Sequence, residues 1–153
     1  MISVKIETHG CKLNQADSIQ LQKKLTEFGY YVDSSTPNPD VYILNSCTVT
    51  HIADKKARQS LRKYKKENPN SLVVLTGCYA QREKDNLINS KIADLIYDNT
   101  EKEQIVQNLS FHMDYQMPQI NNEKIIPGTL IDRTRASVKI QEGCNQICAY
   151  CIV

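Results

Sequence analysis

The sequence predicts an α/β protein whose core is a parallel β-sheet with crossover helices between the strands. Short apolar segments typical of strands alternate with longer segments in which apolar residues recur at helical spacing. Two of the strand-like runs, Val41–Leu44 and Leu72–Leu75, are apolar at every position, as in strands covered on both faces. Because a helix between two strands usually makes them parallel, this alternation predicts a parallel sheet.

The individual elements follow from local signals. Ser3–Glu7 alternates polar and apolar residues before Gly10, and the helix that follows places Leu21, Leu25 and Phe28 on one face before Gly29 stops it. A second helix places Ala53, Ala57, Leu61 and Tyr64 on one stripe and is closed by Asn68-Pro69-Asn70. In chain order the predicted elements are a strand at Ser3–Glu7, a helix at Gln15–Phe28, an extended piece at Tyr30–Val32, a strand at Val41–Leu44, a helix at Ile52–Glu67, a strand at Leu72–Thr76, a helix beginning near Ala80, a strand at Ala93–Tyr97 and a helix at Glu101–Leu109.

Composition narrows the function classes. The 153 residues include 19 basic and 17 acidic side chains, so any attraction to nucleic acid must come from a local patch. The start of the chain has no basic segment followed by a long apolar one, which predicts a cytoplasmic protein without a membrane partner. In a reducing compartment its six cysteines favour metal ligation, catalysis or simple burial over disulfides.

The first three cysteines each follow a predicted strand. Cys11, Cys47 and Cys78 lie just beyond the carboxyl ends of strands, and in a parallel sheet those ends share one edge. Each follows a small residue, Gly10, Ser46 and Gly77 respectively, which leaves room for a ligand. Three buried hydrophobic thiols are the plainer interpretation, but the shared edge favours a metal or cluster site with one open position. His9 and His51 are alternative fourth ligands.

The last three cysteines form a compact group. Cys144, Cys148 and Cys151 follow a predicted strand and the Glu142-Gly143 turn. Their spacing would also place them on one helical face, so a buried stripe is the alternative. A glycine turn and three thiols within eight residues favour a loop that holds a 4Fe–4S cluster.

This second group carries a family resemblance. The pattern C-x-x-x-C-x-x-C with Tyr150 before the last cysteine resembles the radical S-adenosylmethionine superfamily. That resemblance implies a cluster on Cys144, Cys148 and Cys151 that binds S-adenosylmethionine at its free iron and cleaves it to a 5′-deoxyadenosyl radical.

Both groups together resemble the methylthiotransferases, and the match extends over nearly the whole chain. Its segments are Gly10–Gln15, Asn45–Thr50, Thr76–Cys78 and Lys139–Cys144. The resemblance implies a second, auxiliary 4Fe–4S cluster on Cys11, Cys47 and Cys78 that delivers sulfur, with no catalytic residue identified beyond the cluster ligands. It also implies a tRNA substrate, a reductant and a sulfur donor.

Short matches indicate the subfamily. Lys12, the Cys47-Thr48-Val49-Thr50 run and Lys139–Gly143 look most like the enzymes that methylthiolate C2 of N6-threonylcarbamoyladenosine in tRNA. The relatives that act on isopentenyladenosine or on a ribosomal protein aspartate typically differ at these places.

The expected domain organisation has three parts. Residues 1–110 form the α/β domain, residues 111–133, rich in Asn, Gln and Pro, form a linker, and residues 134–153 begin a radical S-adenosylmethionine barrel. One strand and a loop cannot bury a core alone, so we expect a truncated chain that is inactive by itself.

A rival hypothesis is a non-catalytic module in which the cysteines bind zinc and a basic helix docks RNA. That helix carries seven basic residues, which a solvated surface explains equally well; they are Lys55, Lys56, Arg58, Arg62, Lys63, Lys65 and Lys66.

Overall fold

A computed structural model describes residues 1–114 and 140–141. The strands are β1 (Ser3–Thr8), β2 (Tyr31–Val32), β3 (Val41–Ser46), β4 (Leu72–Gly77) and β5 (Leu95–Tyr97), and the helices are α1 (Lys12–Glu27), α2 (His51–Glu67), α3 (Cys78–Ser90) and α4 (Ile105–His112). A single 3-10 turn at Lys102–Gln104 leads into α4. The predicted strand at Thr134–Gln141 is described only at its last two residues, and the remainder of the predicted linker and barrel start, from residue 115 onward, lies outside the described residues.

The five strands form one parallel sheet in the order β2-β1-β3-β4-β5. Val4 of β1 lies beside Val41 of β3, which lies beside Leu72 of β4. The predicted α/β class with a parallel sheet is therefore confirmed for the described residues. Each β-helix-β connection returns the chain to the same edge, so the carboxyl ends of all five strands lie together.

Helices cover the sheet on both faces, which explains the uninterrupted apolar runs. Ile43 and Val74 pack with Leu25 of α1 and Leu109 of α4 on one face. Tyr42, Leu44, Val73 and Leu75 pack on the opposite face with the apolar residues of α2 and α3, namely Ala57, Leu61, Tyr64, Tyr79, Ala80 and Leu87. Successive residues of one strand thus belong to different cores, as the pleat requires.

Helix α2 differs from prediction at one buried position. Ala57, Leu61 and Tyr64 are buried as expected, and Tyr64 stacks on Tyr42 with ring centroids 3.8 Å apart. In the first turn, however, the buried residue is Asp54 and not Ala53, which stays partly exposed. Periodicity cannot predict a buried carboxylate, since its burial depends on partners from elsewhere in the chain.

Among the described helices, none combines the length and apolar character that crossing a membrane would need.

Candidate metal centre

Cys11, Cys47 and Cys78 meet at the carboxyl edge of the sheet, as predicted from their positions after strands. Their strands β1, β3 and β4 are direct neighbours. Ser46 pairs in register with Gly77, so the two following residues, Cys47 and Cys78, leave the sheet at the same level. Adjacent strands are about 4.8 Å apart, which brings thiols 31 and more positions apart in sequence into one region.

The three cysteines differ in exposure. Cys11 is exposed, Cys78 is half-buried and Cys47 is buried, with 4% of its surface accessible. All three are free thiols. The group thus has a solvent-facing side at Cys11 and a closed side at Cys47.

Helix amino termini surround the group. Cys11 is the N-cap of α1 and Cys78 is the first residue of α3, while Cys47 precedes the N-cap of α2, Thr50, by three residues. The Thr50 hydroxyl accepts a hydrogen bond from the Ala53 amide, which fixes the start of α2. Because helix amino termini carry partial positive charge, this edge of the sheet would stabilise an anionic group bound there.

Two glycines make room for the loops. At Gly10, with φ at +136°, an added Cβ would come within 2.6 Å of Cys47 Cβ. At Gly77, with φ at +98°, it would come within 2.3 Å of the Ser46 carbonyl oxygen. Both positions therefore need glycine for backbone conformation and for space, since only glycine adopts such φ values without strain.

Asn14 connects the Cys11 loop to the Cys47 loop through hydrogen bonds. It is 2% exposed, its Nδ2 donates to the Ser46 carbonyl at 3.1 Å, and its Oδ1 accepts from the Cys11 thiol at 3.2 Å. Asn45, also buried, donates from Nδ2 to the Asn14 carbonyl at 2.9 Å. These polar groups are satisfied by the loops they hold, which fixes the backbone around two thiols.

The environment of Cys78 opposes its ionisation when no metal is bound. Burial raises the pKa of the Cys78 thiol, and the nearby Cys47 raises this pKa further, whereas the Lys102 ammonium and a hydrogen bond to Asn99 act in the opposite direction. Lys102 is itself held at 2.6 Å by Asp17 of α1. Metal binding at Cys78 would therefore release a proton.

A single metal ion and a cluster need different spacings of the thiols. Among residues 1–114 and 140–141, no group of three or more Cys, His, Asp or Glu side chains is close enough together to hold a single ion. A tetrahedral zinc needs thiolates within about 2.3 Å of one centre. The three thiols of a cubane cluster bind three different irons and so stand further apart. Thiols on neighbouring strand ends, with glycines beside them and helix amino termini around them, are residues of the type that could hold an iron–sulfur cluster.

The two histidines are placed differently from each other. His9 is two positions before Cys11 in the sequence, and its Nε2 is 2.6 Å from Glu7 Oε1, while its buried Nδ1 has no partner among the described residues. His51 is an exposed first residue of α2. Neither belongs to a metal-binding group in the described part of the chain.

Cys144, Cys148 and Cys151 lie outside the described residues. The cluster assigned to them from the sequence therefore stays a prediction.

Comparison with known proteins identifies the family. A family model described as "Uncharacterized protein family UPF0004" matches residues 3–98, the segment that contains the whole sheet and the first three cysteines. The chain belongs to this family. Cys11, Cys47 and Cys78 all lie within the residues that the UPF0004 family model matches.

Several curated relatives of the chain have names that state an activity. The threonylcarbamoyladenosine tRNA methylthiotransferase MtaB of Aquifex aeolicus is 35% identical over 166 residues, covering 99% of this chain and 39% of the relative. The same enzyme of Bacillus subtilis is 32% identical, with 100% and 36% covered. A tRNA-2-methylthio-N(6)-dimethylallyladenosine synthase of Acinetobacter baumannii is 29% identical, with 99% and 36% covered.

These matches confirm the predicted resemblance to the tRNA methylthiotransferases. The chain spans little more than a third of the length of these relatives.

Sequence reasoning missed the polar residues that organise the site. Asn14, Asn45 and Asp54 are all at most 2% exposed. Asn14 and Asn45 occur in two of the segments that resemble the methylthiotransferases. Their positions next to strand ends were the available signal that they would be buried. Asp54 and its partner Arg82 resembled ordinary charged residues of amphipathic helices, and only the packing of α2 against α3 reveals them.

Proposed function

We propose that the chain provides the auxiliary-cluster domain of a cytoplasmic tRNA methylthiotransferase that uses radical S-adenosylmethionine chemistry. In this proposal, Cys11, Cys47 and Cys78 hold one 4Fe–4S cluster, and Cys144, Cys148 and Cys151 hold a second, which binds S-adenosylmethionine. The proposed product is the 2-methylthio derivative of N6-threonylcarbamoyladenosine in tRNA. A reductant and a sulfur donor complete the set of partners.

One observation carries the cluster proposal: three free thiols follow three neighbouring strands, each at or just before a helix amino terminus. Three protein thiolates leave the fourth metal position of a cluster open to an exogenous ligand. The names of the relatives support the substrate class.

The residues of the chain have defined tasks in this mechanism. The thiolates of Cys11, Cys47 and Cys78 bind iron, and the amino termini of α1 and α3 stabilise the negative charge of the site. Asn14 holds the Cys11 and Cys47 loops together, and burial of Cys47 keeps water from the inner side. The bound groups supply reductive cleavage of S-adenosylmethionine and a sulfur atom for transfer.

Anaerobic reconstitution tests the cluster assignment. The chain is incubated with iron and sulfide, and bound iron, zinc and visible absorption are measured. We expect a brown protein, and we expect Cys11→Ala, Cys47→Ala and Cys78→Ala together to remove one cluster's share of iron. The triple alanine variant of Cys144, Cys148 and Cys151 is the matched control, because it should leave that share of iron in place.

A colourless protein that binds zinc would contradict the proposal and support the zinc-module hypothesis instead. Retention of all iron after loss of Cys11, Cys47 and Cys78 would also contradict the ligand assignment.

A second assay tests the substrate. tRNA with N6-threonylcarbamoyladenosine or with isopentenyladenosine is supplied with S-adenosylmethionine, reductant and sulfide, and nucleosides are analysed by mass spectrometry. In a longer protein that contains this chain, we expect methylthiolation of the threonylcarbamoyl nucleoside, and preferential conversion of the isopentenyl nucleoside would refute the subfamily assignment. The chain alone is expected to convert neither nucleoside.

A further inference from the structure

An ion pair between a buried carboxylate and a partly exposed guanidinium links the Cys47 loop to the helix that begins at Cys78. Asp54, 2% exposed in the first turn of α2, accepts from Arg82 Nη2 at 2.5 Å and from the Thr48 hydroxyl at 2.7 Å. Arg82 also donates from Nη1 to the Thr48 carbonyl at 3.3 Å. Asp54, Arg82 and Thr48 thus close a three-membered polar network, here called the latch.

The latch connects two of the three candidate ligand loops. Thr48 directly follows Cys47, and Arg82 lies four positions after Cys78, about one helical turn away. The backbone of α3 leaves helical values at Glu83, where φ is −120° and ψ is 23°. The rest of α3 therefore does not fix the orientation of its first turn. That orientation depends on the side-chain contacts of the first turn itself.

A second contact, between Arg58 and Tyr79, also attaches the start of α3 to α2. Arg58 of α2 donates to the Tyr79 hydroxyl at 2.7 Å, and its guanidinium carbon is 5.8 Å from the centre of the Tyr79 ring. Tyr79 directly follows Cys78. The amino-terminal half of α2 thus holds both residue 48 and residue 79, each adjacent to a cysteine.

The chemistry of the latch favours positioning over simple stability. Burying the Asp54 carboxylate is costly and is compensated only when its oxygens are hydrogen-bonded, so its ion pair with the partly exposed Arg82 is a weak source of net stability. An arginine that bonds two acceptors in a fixed fork restricts orientation more than a lysine would. The main effect of these bonds is thus to fix the geometry between the Cys47 loop and the start of α3.

We propose that Asp54 and Arg82 are positioning residues that fix the separation of Cys47 and Cys78 for the auxiliary cluster. The inference rests on the proposed function in that Cys47 and Cys78 are taken as iron ligands. The latch acts through the loop and helix that carry the thiols, without touching them.

The metal-free chain provides the first test. Cys47 is buried, so its alkylation by iodoacetamide requires the loop to open. The rates at individual cysteines are measured by peptide mass spectrometry for the wild type, Arg82→Met, Arg82→Lys and Thr48→Val. We expect alkylation of Cys47 to accelerate about tenfold or more in Arg82→Met, because charge-assisted hydrogen bonds are lost, with smaller increases in the other two variants.

Lys65→Met is the matched control. Lys65 is also on α2 and pairs with Asp94 at 2.5 Å, but Asp94 lies at the amino-terminal side of β5, at the opposite edge of the sheet. Its loss should leave Cys47 alkylation unchanged. If Arg82→Met folds poorly by circular dichroism, Thr48→Val decides, since it removes only one hydroxyl donor.

Unchanged Cys47 reactivity in folded Arg82→Met or Thr48→Val would overturn the proposal, as would equal acceleration in Lys65→Met. This readout needs no cluster, so failure of the chain to bind iron would refute the proposed function separately.

The reconstituted chain provides the second test, in a background with Cys144, Cys148 and Cys151 replaced by alanine. We expect Arg82→Met to shift the electron paramagnetic resonance signal or reduction potential of the remaining cluster, with partial return toward wild type in Arg82→Lys. A signal and potential identical to those of the wild type would contradict a positioning role.

Discussion

At the scale of single residues, Gly77 is the position where the site tolerates least change. It ends β4, caps α3 and directly precedes Cys78. Its positive φ and its approach to the Ser46 carbonyl both exclude a side chain. A substitution here must move either the Cys78 helix or the strand end that leads to Cys47.

We therefore expect Gly77→Ala to lower the free energy of unfolding by roughly 2 kcal/mol or more. Gly29→Ala is the matched comparison, because Gly29 also has positive φ, at +84°, but follows the end of α1 far from the thiols. The measurement is urea denaturation of the metal-free proteins. If Gly77→Ala lowers the free energy of unfolding no more than Gly29→Ala does, the close approach to Ser46 adds nothing to the destabilisation.

Polar residues at this scale were the least predictable part of the site. The shared edge of Cys11, Cys47 and Cys78 could be predicted from their positions after strands. The partners of Asp54 lie 6 and 28 positions away, and Lys102 meets Asp17 across 85 positions. Periodicity reports which face of a helix is buried, and it contains no information on which distant side chain satisfies a buried charge.

At the scale of elements, an ion-pair cluster attaches α3 to the loop after β5. Lys84 Nζ lies 2.8 Å from Asp98 Oδ2 and 2.5 Å from Glu101 Oε2. The hydrogen bond from Lys84, followed by that from the Thr100 hydroxyl, lowers the pKa of Asp98 from 3.8 to about 2. This loop also contains Asn99, whose hydrogen bond partly offsets the rise that burial causes in the pKa of Cys78.

A pKa that is lower in the folded state stabilises the protein above the unfolded value, and this stability is lost as pH falls through the folded value. We expect Asp98→Asn to cost roughly 1 kcal/mol at pH 7, because the pair is partly solvent-screened. The difference from wild type should shrink between about pH 4 and pH 2, in thermal or urea unfolding.

Asp85→Asn is the control for that experiment, since Asp85 is exposed on the same helix. A deficit of Asp98→Asn that stays constant down to pH 2 would show that the loss is steric and not electrostatic.

The elements themselves were largely predictable from the sequence. The runs at Val41–Leu44 and Leu72–Thr76 became β3 and β4, each with one or two further residues. Boundaries were less accurate, because α1 begins at Lys12, where the Cys11 loop turns, and α3 begins directly at Cys78. The helix after β5 is divided into a 3-10 turn and α4, which ends at His112, two residues beyond the predicted domain boundary. Helix starts at the site depend on glycine conformation and tertiary hydrogen bonds, which composition does not reveal.

At the scale of the whole molecule, positive charge concentrates on α2 and not on the protein overall. Among the seven basic residues of that helix, Lys63 and Lys65 pair with acids and Arg58 bonds Tyr79. Arg62 and Lys66 are exposed without an ion pair in the described part of the chain, and they line a cleft with Lys91 from the end of α3. The surface suits the phosphates of the tRNA proposed as substrate.

We expect Arg62→Ser combined with Lys66→Ser to weaken binding of tRNA by the chain and to reduce the salt dependence of the affinity. Loss of two phosphate contacts would lower the slope of log affinity against log salt by up to about two. Fluorescence anisotropy at several salt concentrations gives both quantities. Lys5→Ser with Lys23→Ser, on other elements, removes the same charge and should have a smaller effect; equal effects would place the RNA elsewhere.

The strand order has a further consequence for biogenesis. The three ligand loops come from three separate strand–helix units, and the middle one, after β3, is flanked by β1 and β4 only once the sheet has assembled. No partly folded intermediate that lacks any of these strands offers three thiols together. The cluster proposed for these thiols can therefore be inserted only after β1, β3 and β4 have paired, and a chain that is still being synthesised has too few of the three thiols in one place to bind a metal.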